Sequence, residues 1–480
     1  MKQLKERGAI DRYFEISSRG SSFPTEILGG VVTFMAMAYI LVVHPTIMAA
    51  GGKGMPREAV FTATALIAGL SSILMGLWAK LPFALAPGMG SNAIMIGLVG
   101  AGLITWQQGI GMVVISGAIF VIVSFPILRW LQLVGVRDPR ILNFNLRRVV
   151  IEAIPVSVKF GVSFCIGLQL AILAAGRSGI GFALVNNNNF VLGDLTNPQV
   201  VLGLVGLLLI LAMVFLRRKN DRPLVPGGYL IGMLAITGIA IYLGMVKSPA
   251  TFTGQPPSVL PVFWAFELTG DWIKQVYPYI LVFFMSDFFS TAGTALACAE
   301  KAGLMDDNGN VPRLSEVFYV DSLFTVIGAF FGLTVVTTFV ESSAGVESGA
   351  RTGFASLVTG TLFLVALFLS PIFLMIPPMA TGAALFAVGI GMMMGIRRIV
   401  RQTENDQLEL VSVLLMIAYY ALLRNTAGAM CFGIIANGLL RVIRFAYDRP
   451  RINRVKLVSG VLLFALGVSY FVVQILSTSR

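Results

Sequence analysis

Three carboxylates, Asp287, Asp321 and Glu341, stand inside long apolar runs of this 480-residue chain. At the centre of a bilayer each would cost about 2.5–3.5 kcal/mol on insertion scales, so such residues usually have a task. Asp287 lies in Phe284-Met285-Ser286-Asp287-Phe288-Phe289-Ser290-Thr291-Ala292-Gly293-Thr294. With about 3.6 residues per helical turn, Asp287, Ser290, Thr291 and Thr294 share one face, while Phe288 and Phe289 point elsewhere, at least one of them to packing. A face with a carboxylate, hydroxyls and a glycine suits a flat polar ligand; a carboxylate paired inside a bundle is the competing reading. Glu341 opens a Gly- and Ser-rich break beside Ser342 and Ser343. A half-helix starting there would offer free amides and a positive dipole end, next to a carboxylate able to accept ring N–H donors or hold a proton. Asp321, in Val320-Asp321-Ser322-Leu323-Phe324-Thr325, is placed either at the ligand or as a bridge between neighbouring segments. Glu347 reads as the end of the half-helix. The single histidine, His44, precedes Pro45; a satisfied histidine at the membrane interface is favoured over a proton relay. Arg351 reads as an anchor for phospholipid, and Met392 to Met394 as packing.

These residues need elements that carry them across lipid. The chain is 56% hydrophobic and 12% charged, with mean hydropathy +0.85. A soluble domain carries roughly a quarter of charged residues. The apolar residues come in runs near 20 residues, the length of a spanning helix, and lipid offers backbone amides no partner outside a helix. The alternation of a membrane barrel is missing. Fourteen segments follow, at 26–49, 57–79, 81–104, 107–134, 151–175, 198–216, 225–246, 275–300, 314–333, 335–350, 352–375, 379–396, 406–424 and 426–446. A further apolar stretch, 456–476, either spans or lies along the interface.

Charge fixes the expected orientation. The net charge of +12 does not signal nucleic acid, because most of the 35 basic residues cluster at alternate segment ends. Arg137, Arg140, Arg147 and Arg148, then Arg217, Arg218, Lys219 and Arg222, then Arg397, Arg398 and Arg401 mark one side. The opposite connections are nearly uncharged, as at the Asn186 to Asn189 tract. Basic ends face the cytoplasm, so the N-terminus is expected inside a cell's inner (plasma) membrane. The N-terminal Lys2, Lys5, Arg7 and Arg12 precede a run too long for a cleavable signal.

The third and tenth segments, holding Ala86-Pro87-Gly88-Met89-Gly90-Ser91-Asn92 and Glu341 to Gly349, are too rich in Gly, Pro and small polar residues to be continuous. They are the third members of two groups of seven. Interrupted segments at matching positions mark the binding site of a secondary transporter, and an odd repeat length makes the halves inverted. Irregular backbone at that depth is expected to line a cavity. No phosphate-binding loop, metal cluster or nucleophile–His–carboxylate set is present in the sequence. An enzyme or an ATP-driven pump is therefore disfavoured, and no cofactor or metal is expected. Cys165, Cys298 and Cys431 lie inside apolar runs and do not read as a disulfide framework.

Several stretches resemble the AzgA-like branch of the nucleobase–cation symporter type 2 superfamily of purine permeases. They are Thr25-Glu26-Ile27 leading into TFMAMAYILVVHP (33–45), LPFALAPGMGSNA (81–93), Ala153 to Lys159, FSTAGTA from Phe289, KAGLMDDNGNVPR (301–313) and TTFVESSAGVESGARTG (337–353). The resemblance implies two inverted repeats of seven segments, with short extended stretches in segments three and ten that pair. It implies a core domain from 26–134 and 275–375 and a gate domain from 151–246 and 379–446, flanked by a cytoplasmic 1–25 and an extension 447–480. Substrate would lie between the extended stretches and segment eight, touching Glu341, Ser290, Thr291, Ser342, Ser91 and Asn92. Asp287, Glu341 and Asp321 would serve proton coupling. The cargo implied is a neutral nucleobase, a purine such as adenine, guanine or hypoxanthine, imported with a proton. Lipid is the surrounding partner, nucleic acid is not one, and a homodimer stays open. The family usually has a carboxylate where Ser290 stands, and Asn where His44 stands. Rival readings keep the fold and change the cargo to xanthine, urate or uracil, or to an anion in an exchanger or channel. An anion site needs converging basic residues near segments three and ten, where carboxylates stand instead.

Overall fold

The computed structural model describes residues 8–49, 54–125, 156–176, 179–186, 189–216, 225, 227–270, 272–305, 311–394, 407–423, 426–447 and 468. In chain order the elements are α1 (Ala9–Phe14), α2 (Phe23–Met37), α3 (Ile40–Met48), α4 (Arg57–Trp78), β1 (Leu85–Pro87), α5 (Met89–Gly100) and α6 (Trp106–Ser124). Then come α7 (Val156–Ala175), β2 (Ala183–Asn186), β3 (Asn189–Leu192), α8 (Pro198–Phe215), α9 (Gly228–Tyr242), α10 (Trp272–Ala302) and α11 (Leu314–Phe330). The chain continues through β4 (Val336–Thr338), α12 (Ser342–Glu347), α13 (Gly353–Ala366), α14 (Ser370–Leu374), α15 (Pro378–Met393), α16 (Gln407–Leu423) and α17 (Thr426–Tyr447). Every one of the fourteen expected segments meets at least one of these elements. The stretch 456–476 lies outside the described residues, apart from Val468. Among the described residues six helical spans are long and apolar enough to cross a bilayer, one of them running through α2 and α3 and another through α13 and α14, and five shorter apolar helices accompany them.

Local chemistry sets the boundaries. Ser22 caps α2 ahead of a proline in its first turn, and Thr105 forms a reciprocal capping box with Gln108 at α6. Asn197 caps α8 before Pro198, and Thr352 caps α13. Two differences from the sequence reading stand out. Segment one is locally irregular: at Ala38 and Tyr39 the backbone stays right-handed, and a turn in which Leu41 N and Val42 N donate to Ala38 O and Tyr39 O joins α2 to α3. The loop after α7 forms a β-hairpin, with Ala183 opposite Leu192 and Asn186 opposite Asn189.

The helices pack in two groups. In the first, α4 lies along α13, α14 precedes segment twelve, and α2, α6, α10 and α11 surround them. In the second, α7 lies along α15, with α8, α9, α16 and α17 around them. Glycines make both central contacts. A Cβ on Gly76 would come within 2.3 Å of Gly353 O, and one on Gly353 within 2.1 Å of Gly76 O. Gly69 and Gly360 repeat the arrangement, as do Gly167 and Gly389 between α7 and α15. Lipid tails give apolar helices no hydrophobic reason to associate, so close backbone packing must do it.

Segments three and ten meet in the first group. β1 and β4 pair antiparallel, with Leu85 opposite Thr338, Ala86 opposite Thr337 and Pro87 opposite Val336. Gly88 N donates to Val335 O at 2.8 Å and Phe339 N to Ala84 O at 2.9 Å, a two-fold-related pair closing the ladder. A second related pair anchors it. Ser72 Oγ on α4 accepts from Leu85 N at 3.0 Å, and Thr325 Oγ1 on α11 accepts from Val336 N at 3.2 Å. The broken segments thus satisfy one another's backbone.

Candidate functional site

Glu341 ends the turn between β4 and α12 and is half-buried. Its Oε1 accepts from Tyr39 Oη at 2.8 Å. The expected free amides are not there. Ser342 N, Ser343 N and Ala344 N donate back to Phe339 O, Val340 O and Glu341 O at 3.1, 2.9 and 2.9 Å. A tight turn uses up the donors that a freely starting helix leaves open. Glu341 therefore stands at the N-cap of α12, held by Tyr39 and by a turn that already uses the first donors of the helix.

Beside it, α10 and α11 exchange hydrogen bonds in a reciprocal pattern. Asp287 and Thr291 are one turn apart on α10, and Asp321 and Thr325 one turn apart on α11. Thr325 Oγ1 lies 2.8 Å from Asp287 Oδ2, and Thr291 Oγ1 donates to Asp321 Oδ2. All four side chains are buried. Thr325 Oγ1 is also 3.0 Å from Val336 O, and Thr291 Oγ1 is 2.9 Å from Thr337 Oγ1. A hydroxyl has one proton to give. Thr325 cannot donate to Asp287 and Val336 O together. A proton on Asp287 removes the conflict, because the acid then donates to Thr325, which donates onward to Val336 O. Asp287 Oδ1 and Asp321 Oδ1 have no hydrogen-bond partner. Among the described residues no basic side chain pairs with either. The cluster can hold a proton, and its neutral hydroxyls do little to compensate two full negative charges at such a depth.

The matching region of the first repeat is neutral. His44 is fully buried in α3, and its Nδ1 lies 2.8 Å from Thr64 Oγ1. Thr64 gives its own proton to Val60 O at 2.6 Å, so His44 Nδ1 must be the donor. His44 Nε2 has no partner. Asn92 Oδ1 accepts from Thr334 Oγ1 just before β4, and Ser91 Oγ donates to Gly88 O at 2.7 Å. His44 is thus enclosed in the protein, with Thr64 of α4 as its partner.

A family model described as Permease family matches residues 24–423. The chain belongs to this Permease family. The adenine permease AdeQ of Escherichia coli K12 is 34% identical over 398 residues, covering 82% of each chain. The guanine/hypoxanthine permease PbuG of Bacillus subtilis is 37% identical over 389 residues, 78% of this chain and 82% of its own. The relatives are permeases, not enzymes. Among solved structures, the murine Slc26a9 anion transporter in its inward-facing state aligns with TM-score 0.59 at 12% identity, over 90% of this chain and 69% of that one. That likeness is of fold, and it agrees with a helical, inverted-repeat membrane protein.

The permease brings some of the expected residues together and separates others. Ser290 is exposed on α10 while Asp287, Thr291 and Thr294 are buried, so the face expected to be shared is split. Ser342 Oγ is engaged with Ala84 N at 3.0 Å, and Ser91 with its own backbone, so both hydroxyls already fasten the crossing. Asp321 bridges segments eight and ten through Thr291 and Thr337, the second of its two readings. Glu347 ends α12 and pairs with Lys301 at 2.5 Å. Arg351 Nη1 donates to Val346 O and Ala350 O at 2.7 and 2.8 Å. Phe288 packs against Phe120, Phe284 and Phe318. Tyr39 was missed by sequence reasoning. Its signal is a phenol in mid-run, whose hydroxyl must find a partner when buried.

Proposed function

We propose that this permease imports a neutral purine nucleobase together with a proton across the cytoplasmic membrane, with its N-terminus inside. Glu341 carries the reading. It is a half-buried carboxylate at the broken tenth segment, held through Oε1 by Tyr39. A carboxylate only accepts, and the N–H edge of a purine supplies donors to it. Ser290, exposed on α10, adds a hydroxyl that both donates and accepts, so the site tolerates an acceptor on that side of the ring. Relatives named for adenine and for guanine/hypoxanthine support a purine over other heterocycles. Their differing ligands leave the particular base to experiment.

Proton coupling rests on the Asp287–Thr325 and Asp321–Thr291 pairs, where the donor count favours one added proton. We take residues 26–134 and 275–375 as a ligand-bearing core and 151–246 and 379–446 as a gate, sliding or rocking past each other. Carboxylates at the crossing speak against an anion cargo, since among the described residues no ion pair neutralises Asp287, Asp321 or Glu341.

The test is uptake of labelled adenine, guanine, hypoxanthine, xanthine and uracil into cells lacking their own base carriers, with and without a protonophore. Purine accumulation that collapses with the proton gradient is expected. Accumulation of none of the purines, or accumulation indifferent to the protonophore, defeats the cargo or the coupling respectively.

A further inference from the structure

Tyr39 touches two things at once. It sits at the turn between α2 and α3 and is 1% exposed. Its hydroxyl donates to Glu341 Oε1 at 2.8 Å. Its ring lies 5.1 Å from the ring of Tyr229, inclined at 47°. Tyr229 is in the first turn of α9, in the other helix group. It is seated there: its hydroxyl would be 3.8 Å from a Cβ placed on Gly391 of α15, and Phe215 Cζ lies 3.7 Å from the same point. The approach of the two groups at this place is tight. Gly227, just before α9, has φ +74°, and a Cβ there would come within 2.6 Å of Met35 Cβ on α2. A side chain would force the groups apart, and the left-handed backbone independently favours glycine.

We propose that Tyr39 is a positioning residue with two separable roles: its hydroxyl orients Glu341 for the ligand, and its ring docks the ligand-bearing group onto the gate through Tyr229. This rests on the reading of Glu341 as the base-binding carboxylate. The bond from Tyr39 to Glu341 stays within one helix group and persists when the groups move. The ring contact crosses between groups and exists only in conformations that bring α9 against α2. A contact present in one state and absent in another shifts the balance between them, whereas one present in both does not. Aromatic pairs at this separation shift an equilibrium by a factor of roughly 2 to 10 beyond burial alone. The hydroxyl therefore acts on affinity and the ring acts on turnover.

The experiment separates the two. Tyr39→Phe keeps the ring and removes the bond to Glu341. It should raise KM for the transported base about tenfold or more and move the pH profile of uptake, with Vmax kept within a few-fold. Tyr229→Leu should change Vmax several-fold and leave KM and the pH profile within twofold of wild type. Tyr229→Phe should match wild type in both. Wild-type KM and pH profile in Tyr39→Phe overturns the first role; a KM rise in Tyr229→Leu equal to that of Tyr39→Phe overturns the second. A ligand-independent arm uses Tyr39→Cys with Tyr229→Cys, after Cys165, Cys298 and Cys431 are changed to alanine. A short bis-methanethiosulfonate should cross-link this pair in membranes without any base present. Cross-linking in a protein whose wild type carries no purine keeps the docking contact and sinks the purine reading. Failure to cross-link in a protein that does carry purine sinks the docking contact alone.

Discussion

The two inverted repeats build the same crossing and load it with different chemistry. In the first, Ser72 holds Leu85 N, and the buried polar groups nearby are His44, Thr64 and Asn92, which form neutral hydrogen bonds. In the second, Thr325 holds Val336 N in the matching place, and the polar groups nearby are Asp287, Asp321 and Glu341. The backbone hydrogen bonds repeat almost one for one, from Gly88 N to Val335 O and from Phe339 N to Ala84 O. The scaffold is thus shared, and the carboxylates beside the paired strands belong to one half, whereas the buried carboxylate of the first half, Glu26, accepts from Arg351 N and Thr352 N at the end of segment ten. A symmetric pair of acidic halves would place twice the buried charge in one region of the bundle, with no further counter-charge.

The largest test of this division is Glu341→Gln. The protein should reach the membrane, and uptake should fall by roughly ten- to a hundred-fold or lose its pH dependence, as expected for the loss of a charged hydrogen bond. Wild-type uptake would place the ligand elsewhere.

Next in size are Asp287→Asn and Asp321→Asn. Each keeps the shape of the pair and removes a titrating group. Both should still equilibrate a labelled base across the membrane but no longer accumulate it when a proton gradient is imposed on vesicles. Full accumulation in both variants would move coupling away from α10 and α11.

A smaller effect sharpens the comparison itself. Ser72→Ala and Thr325→Ala delete matching hydroxyls from the two halves, and each should cost about 0.5–1.7 kcal/mol, the scale of a polar contact between membrane helices. Thermal denaturation in detergent would measure it. Thr325→Ala should in addition shift the pH profile of uptake, because Asp287 loses its partner, whereas Ser72→Ala should not. Equal pH profiles in the two variants would mean that the acidic half has no proton task.

The smallest effect concerns the strap formed by α1 and the turn after it. Arg19 donates to Glu15 at 2.9 Å and reaches Lys80 O and Arg351 O, while Lys80 lies 4.1 Å over the ring of Tyr13. Burial raises the Glu15 pKa, but Arg19, Arg313 and Lys80 outweigh it and hold the carboxyl below its ordinary value of 4.5. A lowered folded pKa means that the contribution is complete above that ordinary value and disappears as pH falls through the lowered one. Protease accessibility of residues near Glu15 should therefore rise only in that acidic range, and Glu15→Gln should remove the dependence. The same acid step in Glu15→Gln would assign it to another group.

Hydropathy and basic-residue placement were enough to divide the chain into segments, because lipid leaves a backbone one way to satisfy itself and that way needs about 20 apolar residues. The same logic exposed the breaks in segments three and ten, where Pro87, Gly88, Gly345 and Gly349 stand among small polar residues. It also singled out Asp287, Asp321 and Glu341, whose burial demands a reason. It could not show who satisfies whom. That β1 and β4 complete each other's backbone, that Asp287 pairs with Thr325 and Asp321 with Thr291, and that His44 is enclosed all depend on contacts between residues far apart in the chain. The exposure of Ser290 beside buried Thr291 was hidden for the same reason, since helical spacing gives a face but not what covers it. Tyr39 shows the limit most clearly. Its type announced a buried hydroxyl, but Glu341 lies 302 residues away, and only the packing of segment one against segment ten put the two within 2.8 Å.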